Sequence, residues 1–124
     1  MSSVLVVDDS AMLREMISGL MSKMGWTVSV AEDGCAAIEQ IAANPPDLVV
    51  LDVVMPNMNG YELCRWIKNN EATKGVLVVL CSSKSEEFDR YWGMKQGADA
   101  YITKPFRPAE LLRTVQALLA GKVA

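Results

Sequence analysis

The sequence contains no histidine. That absence removes Ser-His-Asp and Cys-His nucleophilic catalysis and the commonest zinc sites. Cysteine is scarce. Cys35, Cys64 and Cys81 are odd in number and show no CxxC spacing, so they read as reduced, buried thiols of a cytoplasmic protein rather than a disulfide framework. Aromatic residues make up only 6% of the chain. No apolar run approaches the ~20 residues that a membrane helix needs. Met1-Ser2-Ser3 lacks the basic and apolar regions of a signal peptide. Basic residues do not dominate either: 12 against 15 acidic ones leave a net charge of −3, which argues against nucleic acid as a direct partner. Chemistry must therefore fall to carboxylates, hydroxyls and lysines.

What is present is apolar and regular. The 124 residues, 51% hydrophobic and 22% charged, suit one domain with a real core rather than a disordered chain. Short β-branched runs at Val4–Val7, Thr27–Val30, Leu48–Leu51, Val76–Leu80 and Ala100–Thr103 read as strands. The first, third and fourth are continuous, as expected of strands buried on both faces. Helical patterns lie between them. Leu13, Met16, Ile17, Leu20, Met21 and Met24 form one stripe, and Leu111, Leu112, Val115, Leu118 and Leu119 another. Weaker helices fit Ala36–Ala43, Tyr61–Asn69 and Glu86–Gln96. The punctuation agrees. Gly25, Gly97 and Gly121 suit helix ends, Pro45-Pro46 a helix stop and Pro108 a first helical turn. Ser83-Lys84-Ser85-Glu86 offers a capping box. Phe88, Tyr91 and Trp92 share i, i+3, i+4 spacing and are expected to be mostly core. Trp26 and Trp66 read as packing, and the eight methionines mostly as core filler. Met12 and Met55, close to the polar strand ends, are the ones expected to be partly exposed. Five β/α units in alternation predict an α/β doubly wound parallel sheet with right-handed crossovers. Such sheets bind ligands beyond the carboxyl ends of their strands.

The polar residues lie at those ends. Asp8-Asp9 closes the first strand, Asp52 the third, Ser82-Ser83 the fourth and Lys104-Pro105 follows the fifth. Taken singly, each has a bland explanation: Asp-Asp is often a helix cap, a lone Asp a turn residue, Ser-Ser a generic cap, and Lys-Pro usually nothing. Their joint placement at four strand ends is what carries weight. Three carboxylates brought together repel one another, and desolvation adds to the cost of their charge. A divalent oxygen-loving cation relieves it. With no imidazole available, Mg²⁺ is the expected ion, and Mn²⁺ can substitute. Mg²⁺ keeps room for water and a phosphate oxygen, so the pattern points to phosphoryl chemistry. Asp52, isolated among apolar neighbours, is the candidate acceptor. Asp8 and Asp9 would hold the metal, and Lys104 and Ser82 the phosphoryl oxygens.

These residues resemble the receiver domain of two-component response regulators, the family of the single-domain chemotaxis regulator CheY. The resemblance rests on Leu5-Val6-Val7-Asp8-Asp9-Ser10, Asp33-Gly34, Asp47-Leu48-Val49-Val50-Leu51-Asp52, Met55-Pro56, Asn59-Gly60, Gly97-Ala98 and Lys104-Pro105-Phe106. The spacing fits as well: Asp52 lies 44 residues after Asp8, Ser82 30 after Asp52, and Lys104 22 after Ser82. The region from Ser82 to Tyr101 further resembles regulators of twitching motility and phototaxis of the PilH type. The resemblance implies a flavodoxin-like (βα)5 sheet of strand order 2-1-3-4-5, with Asp52 as phosphoacceptor. It implies that Asp8, Asp9, Asp52 and the backbone carbonyl of Val54 bind Mg²⁺. Ser82 becomes the switch hydroxyl, Lys104 the phosphate-binding lysine and Tyr101 the aromatic switch, and Lys104-Pro105 a cis peptide. Two departures stand out: Val54 is apolar where many relatives are polar, and Ser83 replaces a small apolar residue.

The expected function is acceptance of a phosphoryl group from the phosphohistidine of a sensor histidine kinase or phosphotransfer protein. The face formed by helix 4, strand 5 and helix 5 would then change shape and bind a downstream protein, in motility or taxis. Residues 1–124 would be one receiver domain without an output domain, a monomer or weak dimer. It would not be a turnover enzyme, catalysing only its own phosphorylation and slow dephosphorylation. Trp92, if exposed, is a candidate interface anchor. Alternatives are an unphosphorylated pseudo-receiver interaction module and a phosphate sink for a shared kinase. A phosphatase using an aspartyl phosphate would want an acid where Val54 stands. A redox flavodoxin would not place Asp8-Asp9 in its phosphate loop.

Overall fold

The computed structural model describes residues 2–84 and 86–123. Strands and helices alternate along them: β1 (Ser3–Val7), α1 (Ala11–Lys23), β2 (Thr27–Ala31), α2 (Gly34–Ala43), β3 (Leu48–Asp52), α3 (Gly60–Lys68), β4 (Leu77–Ser82), α4 (Glu87–Lys95), β5 (Ala100–Thr103) and α5 (Pro108–Val123). The strands form one parallel sheet in the order β2-β1-β3-β4-β5. This is the flavodoxin-like doubly wound arrangement. The continuous apolar runs are the three central strands, and β1, β3 and β4 are buried almost throughout. The polar edge strand β2 is exposed over most of its length.

Successive strand residues point to opposite faces, and the sheet splits its apolar residues into two cores. Val4, Val6, Leu48, Val50, Val79 and Ile102 pack with Ile17 and Met21 of α1 and Leu111 and Val115 of α5. Leu5, Val7, Val49, Leu51, Val78 and Leu80 pack on the other face with Ile41 of α2 and Leu63 and Ile67 of α3. The helices start on side-chain caps. Ser10 accepts from the Leu13 amide at 3.3 Å, Asp33 from Ala36 at 2.8 Å and Asn59 from Glu62 at 2.9 Å. Gly25 and Gly97, at φ +86° and +104°, take the left-handed conformation that ends α1 and α4. At the far end of the sheet Lys68 Nζ donates to the Val76 carbonyl at 2.8 Å and to Asp99 at 2.9 Å, strapping α3 to the start of β4.

Several expectations need correction. Gly121 does not end a helix, because α5 runs through it to Val123. Phe88, Tyr91 and Trp92 are 71%, 59% and 41% exposed. Their stripe is real but faces solvent, because α4 turns Gly93 rather than a bulky side chain toward the sheet. Cys35 is exposed, whereas Cys64 and Cys81 are buried. Met12, Met16, Met24 and Met94 are exposed as well, so methionine is not mainly core filler. Met55, expected to be partly exposed, is buried. The capping contact of α4 falls one turn later than predicted. The Glu86 amide donates to the Asp89 carboxylate at 3.2 Å, and Ser85, part of the predicted box, lies outside the described residues.

Candidate functional site

In a sheet of this order the chain leaves β1 for one side and returns to β3 on the other. The crevice therefore opens at the carboxyl ends of β1 and β3. Asp8 and Asp9 follow β1 and Asp52 ends β3, so the three acids flank that point. Their carboxylate oxygens lie within 4.8 Å of one another. Lys104, just past β5, bridges two of them, with Nζ 3.1 Å from Asp8 Oδ2 and 3.1 Å from Asp52 Oδ1. Asp8 is 2% exposed and Asp52 8%, whereas Asp9 is exposed. The donors are all oxygens, two of them largely withdrawn from water, which is a set suited to a hard divalent cation.

The local backbone fixes these groups. The Ser10 amide donates to Asp8 Oδ1 at 2.8 Å, and Arg14 Nη1 donates to the Asp8 carbonyl at 2.8 Å. Arg14 thus pins the acidic turn from one helical turn away. Nothing in the residue pattern announced that role. On the β3 side, the Gly60 amide donates to the Val53 carbonyl at 2.8 Å. A Cβ at Gly60 would stand 2.3 Å from the Asp52 carbonyl oxygen. Glycine is therefore what lets α3 close on the strand that carries Asp52, and the Asn59 cap directly before it is the sequence signal.

Burial raises the Asp52 carboxyl above its ordinary pKa; the Lys104 contact opposes this, and the charges of Asp8 and Asp9 add to it. Burial alone would lower the Lys104 ammonium, but the hydrogen bond and charge of Asp52, with the charge of Asp8, outweigh it and raise that pKa. The site therefore favours a charged lysine and makes the Asp52 carboxylate costly to ionise.

The remaining candidates lie around this centre. Ser82 is fully buried at the end of β4, and its Oγ accepts from the Lys84 amide at 3.1 Å. The Lys104 amide donates to the Ser82 carbonyl at 2.7 Å, which ties the two strand ends together. The Lys104–Pro105 peptide bond is cis. The Val54 side chain is exposed. Tyr101 lies further along the sheet with its ring already inward, and its hydroxyl donates to the Lys84 carbonyl at 2.7 Å. Trp92 stands apart on the outer face of α4.

Residues 4–116 match the family model for the response regulator receiver domain. The chain is a receiver domain. It is 41% identical to the protein PilG of Pseudomonas aeruginosa over 92% of this chain and 84% of that one. To PilH of the same organism it is 36% identical, over 98% of this chain and all of that one. Among solved structures, the chemotaxis response regulator CheY4 of Vibrio cholerae superposes with a TM-score of 0.89 at 30% identity, covering 95% of this chain and 98% of that chain. The receiver domain is thus CheY-like, and it sits in a family of signalling regulators rather than of metabolic enzymes. Among the described residues no helix is long and apolar enough to cross a membrane.

Proposed function

We propose that this receiver domain accepts a phosphoryl group on Asp52 from the phosphohistidine of a sensor histidine kinase or phosphotransfer protein. An Asp52 carboxylate oxygen attacks phosphorus, the new O–P bond forms as the N–P bond breaks, and the imidazole leaves with its electron pair. Lys104, already in contact with Asp52, turns its ammonium to a phosphoryl oxygen as charge gathers there, and the Ser82 hydroxyl donates to another. Water later attacks the same phosphorus, returning the carboxylate and inorganic phosphate. Asp8, Asp9, Asp52 and the Val54 carbonyl would hold Mg²⁺, for which Mn²⁺ can stand in. When bound, the ion offsets the charge of the carboxylates and of the incoming phosphoryl group. Val54 has no polar side chain to orient the hydrolytic water.

The phosphoryl group adds about −1.5 to −2 of charge beside Ser82, whose Oγ accepts from the Lys84 amide in the β4–α4 turn, and beside Lys104, whose amide donates to the Ser82 carbonyl. The readout is a change in the α4–β5–α5 face and its contact with a downstream protein, in motility or taxis. Trp92 is an anchor on that face. The domain works in the cytoplasm, without direct nucleic-acid contact, as a monomer or weak dimer.

What supports this reading above all is the meeting of Asp8, Asp9, Asp52 and Lys104 on one sheet edge. Incubation with a small phosphodonor and Mg²⁺ should add one acid-stable, base-labile phosphate per chain. Asp52→Asn should abolish it, and labelling that survives the substitution refutes the assignment.

A further inference from the structure

α4 is held to the sheet differently from its neighbours. Every other helix buries an aliphatic side chain: Ile17 in α1, Ile41 in α2, Leu63 in α3 and Leu111 in α5. Among the described residues α4 buries Gly93 alone, and its bulky side chains Phe88, Tyr91, Trp92 and Met94 face solvent. Apolar burial is the main force that seats a helix on a sheet. A helix that lacks it sits at the low end of local stability, and polar contacts must fix its position.

Those contacts differ at its two ends. Beyond the last turn stands Gln96, which is buried. Arg65 Nη1 of α3 donates to Gln96 Oε1 at 2.7 Å, Gln96 Nε2 donates to the Trp92 carbonyl at 3.3 Å, and the Cys64 thiol donates to the Gln96 carbonyl at 3.6 Å. This end of α4 is therefore tied to α3. Nearer the start, the capping box of Glu86 and Asp89 closes on the helix itself. The Tyr101 hydroxyl holds the turn before the helix, donating to the Lys84 carbonyl at 2.7 Å. Arg90 is what joins the helix to the strand. Its Nη1 donates to the Tyr101 carbonyl at 3.2 Å and its Nη2 to Thr103 Oγ1 at 2.8 Å, and the guanidinium stands 5.7 Å from the centroid of the Tyr101 ring. β5 is an edge strand, so this fork grips backbone that no further strand covers.

We propose that Arg90 is a positioning residue: it latches α4 to the open edge of β5, and with the latch released α4 swings about the end fixed by Gln96. The latch adjoins the phosphoacceptor site. Thr103 pairs with Ser82 at the last register position of β4 and β5 and directly precedes Lys104. The turn of Lys104 toward a phosphoryl oxygen thus acts one peptide bond away from the residue whose hydroxyl Arg90 holds. This link to phosphorylation rests on the reading of Asp52 as phosphoacceptor and of the α4–β5–α5 face as the one that changes; the latch itself does not. Because Phe88, Tyr91 and Trp92 ride on the helix, its tilt sets where the exposed aromatic stripe points.

Backbone residual dipolar couplings, measured by nuclear magnetic resonance on the full chain, read the tilt of α4 against the sheet. In Arg90→Gln the couplings of α4 should shrink together, as a rigid rod sampling a range of tilts, while those of the sheet, the other helices and Gly97 keep their wild-type values. Arg90→Lys keeps the charge but not the two-pronged donor and should behave like Arg90→Gln. Thr103→Val deletes one acceptor on β5 and should release α4 in the same direction, whereas Thr103→Ser keeps the hydroxyl and should leave α4 in place. The sheet couplings report in the same spectra that each variant is folded, and Thr103→Val decides alone if Arg90→Gln does not fold. Wild-type α4 couplings in Arg90→Gln or in Thr103→Val overturn the proposal. So does full rescue by Arg90→Lys, which makes charge rather than the fork responsible, and so do losses that extend past Gln96 to Gly97, which remove the pivot. Beryllofluoride with Mg²⁺ should change the α4 couplings of the wild type and change those of Arg90→Gln far less; an equal response in both overturns the coupling through Arg90. A wild type that does not respond counts against phosphoryl switching itself, and the variants measured without the mimic still decide the latch.

Discussion

Replacing Lys104 with methionine tests the electrostatic core of the site directly. Methionine keeps most of the side-chain packing and removes the ammonium from between two carboxylates that are 2% and 8% exposed. Each contact is 3.1 Å long. With an effective dielectric of about 20, one such contact is worth about 5 kcal/mol of gross attraction. Against the pair stands the cost of burying the ammonium, several kcal/mol. Breaking a buried ion pair from one side costs about 3–5 kcal/mol, and Lys104 retains some solvent contact, its side chain being 16% exposed. The low end applies: Lys104→Met should lose about 3 kcal/mol at about pH 7 in chelator. Its pH dependence has a definite sign. Asp52 is raised above 3.8 already with Lys104 present, so its ionisation opposes folding, and stability declines as pH rises from that value through the raised one. Lys104, with a raised pKa, stays charged throughout this range. Without it the Asp52 carboxyl rises further, so the deficit of the variant opens as pH climbs toward neutrality and closes on acidification. Urea unfolding with equal slopes for both proteins reads the difference. Mg²⁺ should then restore more stability to the variant than it adds to the wild type. A deficit below about 1 kcal/mol at neutral pH, or one of the same size at about pH 4, would refute this reasoning.

Three shorter predictions follow from the same geometry. Asp9 is exposed, so Asp9→Ala should fold normally yet bind Mg²⁺ at least about tenfold more weakly in a fluorescence titration; unchanged affinity removes it from the site. Gly60→Ala places a methyl 2.3 Å from the Asp52 carbonyl oxygen, and because the obstacle is backbone it should cost about 3 kcal/mol in urea unfolding; a loss of a few tenths would mean that α3 shifts freely. Burial pushes the Cys64 and Cys81 thiols up to about 11 and about 12, while Cys35 is exposed. A thiol reagent at about pH 8 should therefore titrate one cysteine quickly in the folded chain and all three in denaturant, and two fast thiols would contradict the burial.

The architecture was legible because its signals are local and redundant. Continuous runs such as Leu48–Leu51 between helical stripes leave few alternatives to a two-sided parallel sheet, and Gly25, Gly97 and Pro108 mark helix ends and a helix start as read. What stayed hidden depends on direction and contact. The spacing of Phe88, Tyr91 and Trp92 establishes a shared face but not which way it looks. The ring of Tyr101, delivered by a different element, occupies the space that those side chains would otherwise fill. Gly121 reads as a stop only if helix packing ends there, and α5 continues past it. The role of Arg14 rests on a single contact to a backbone carbonyl, and no periodicity encodes it.

The site was more legible than its individual residues because a parallel sheet makes convergence compulsory. Strands buried on both faces have no room for polar side chains along their length, so Asp8, Asp52, Ser82 and Lys104 stand at or just beyond strand ends. Parallel pairing puts all those ends on one edge, whereas reversing a single five-residue strand would move its terminal group by about 17 Å. Convergence then creates its own electrostatic demand. Three carboxylates and one ammonium, all ionised, leave a net of two negative charges in the crevice. A phosphoryl group arriving with similar charge would be repelled unless a divalent cation entered with it or before it. The same balance accounts for the direct contacts of Lys104 with Asp8 and Asp52, which the proposed function would have it exchange for a phosphoryl oxygen. The fold thus imposes the acidic cluster, and the cluster's all-oxygen donors suit a hard divalent cation.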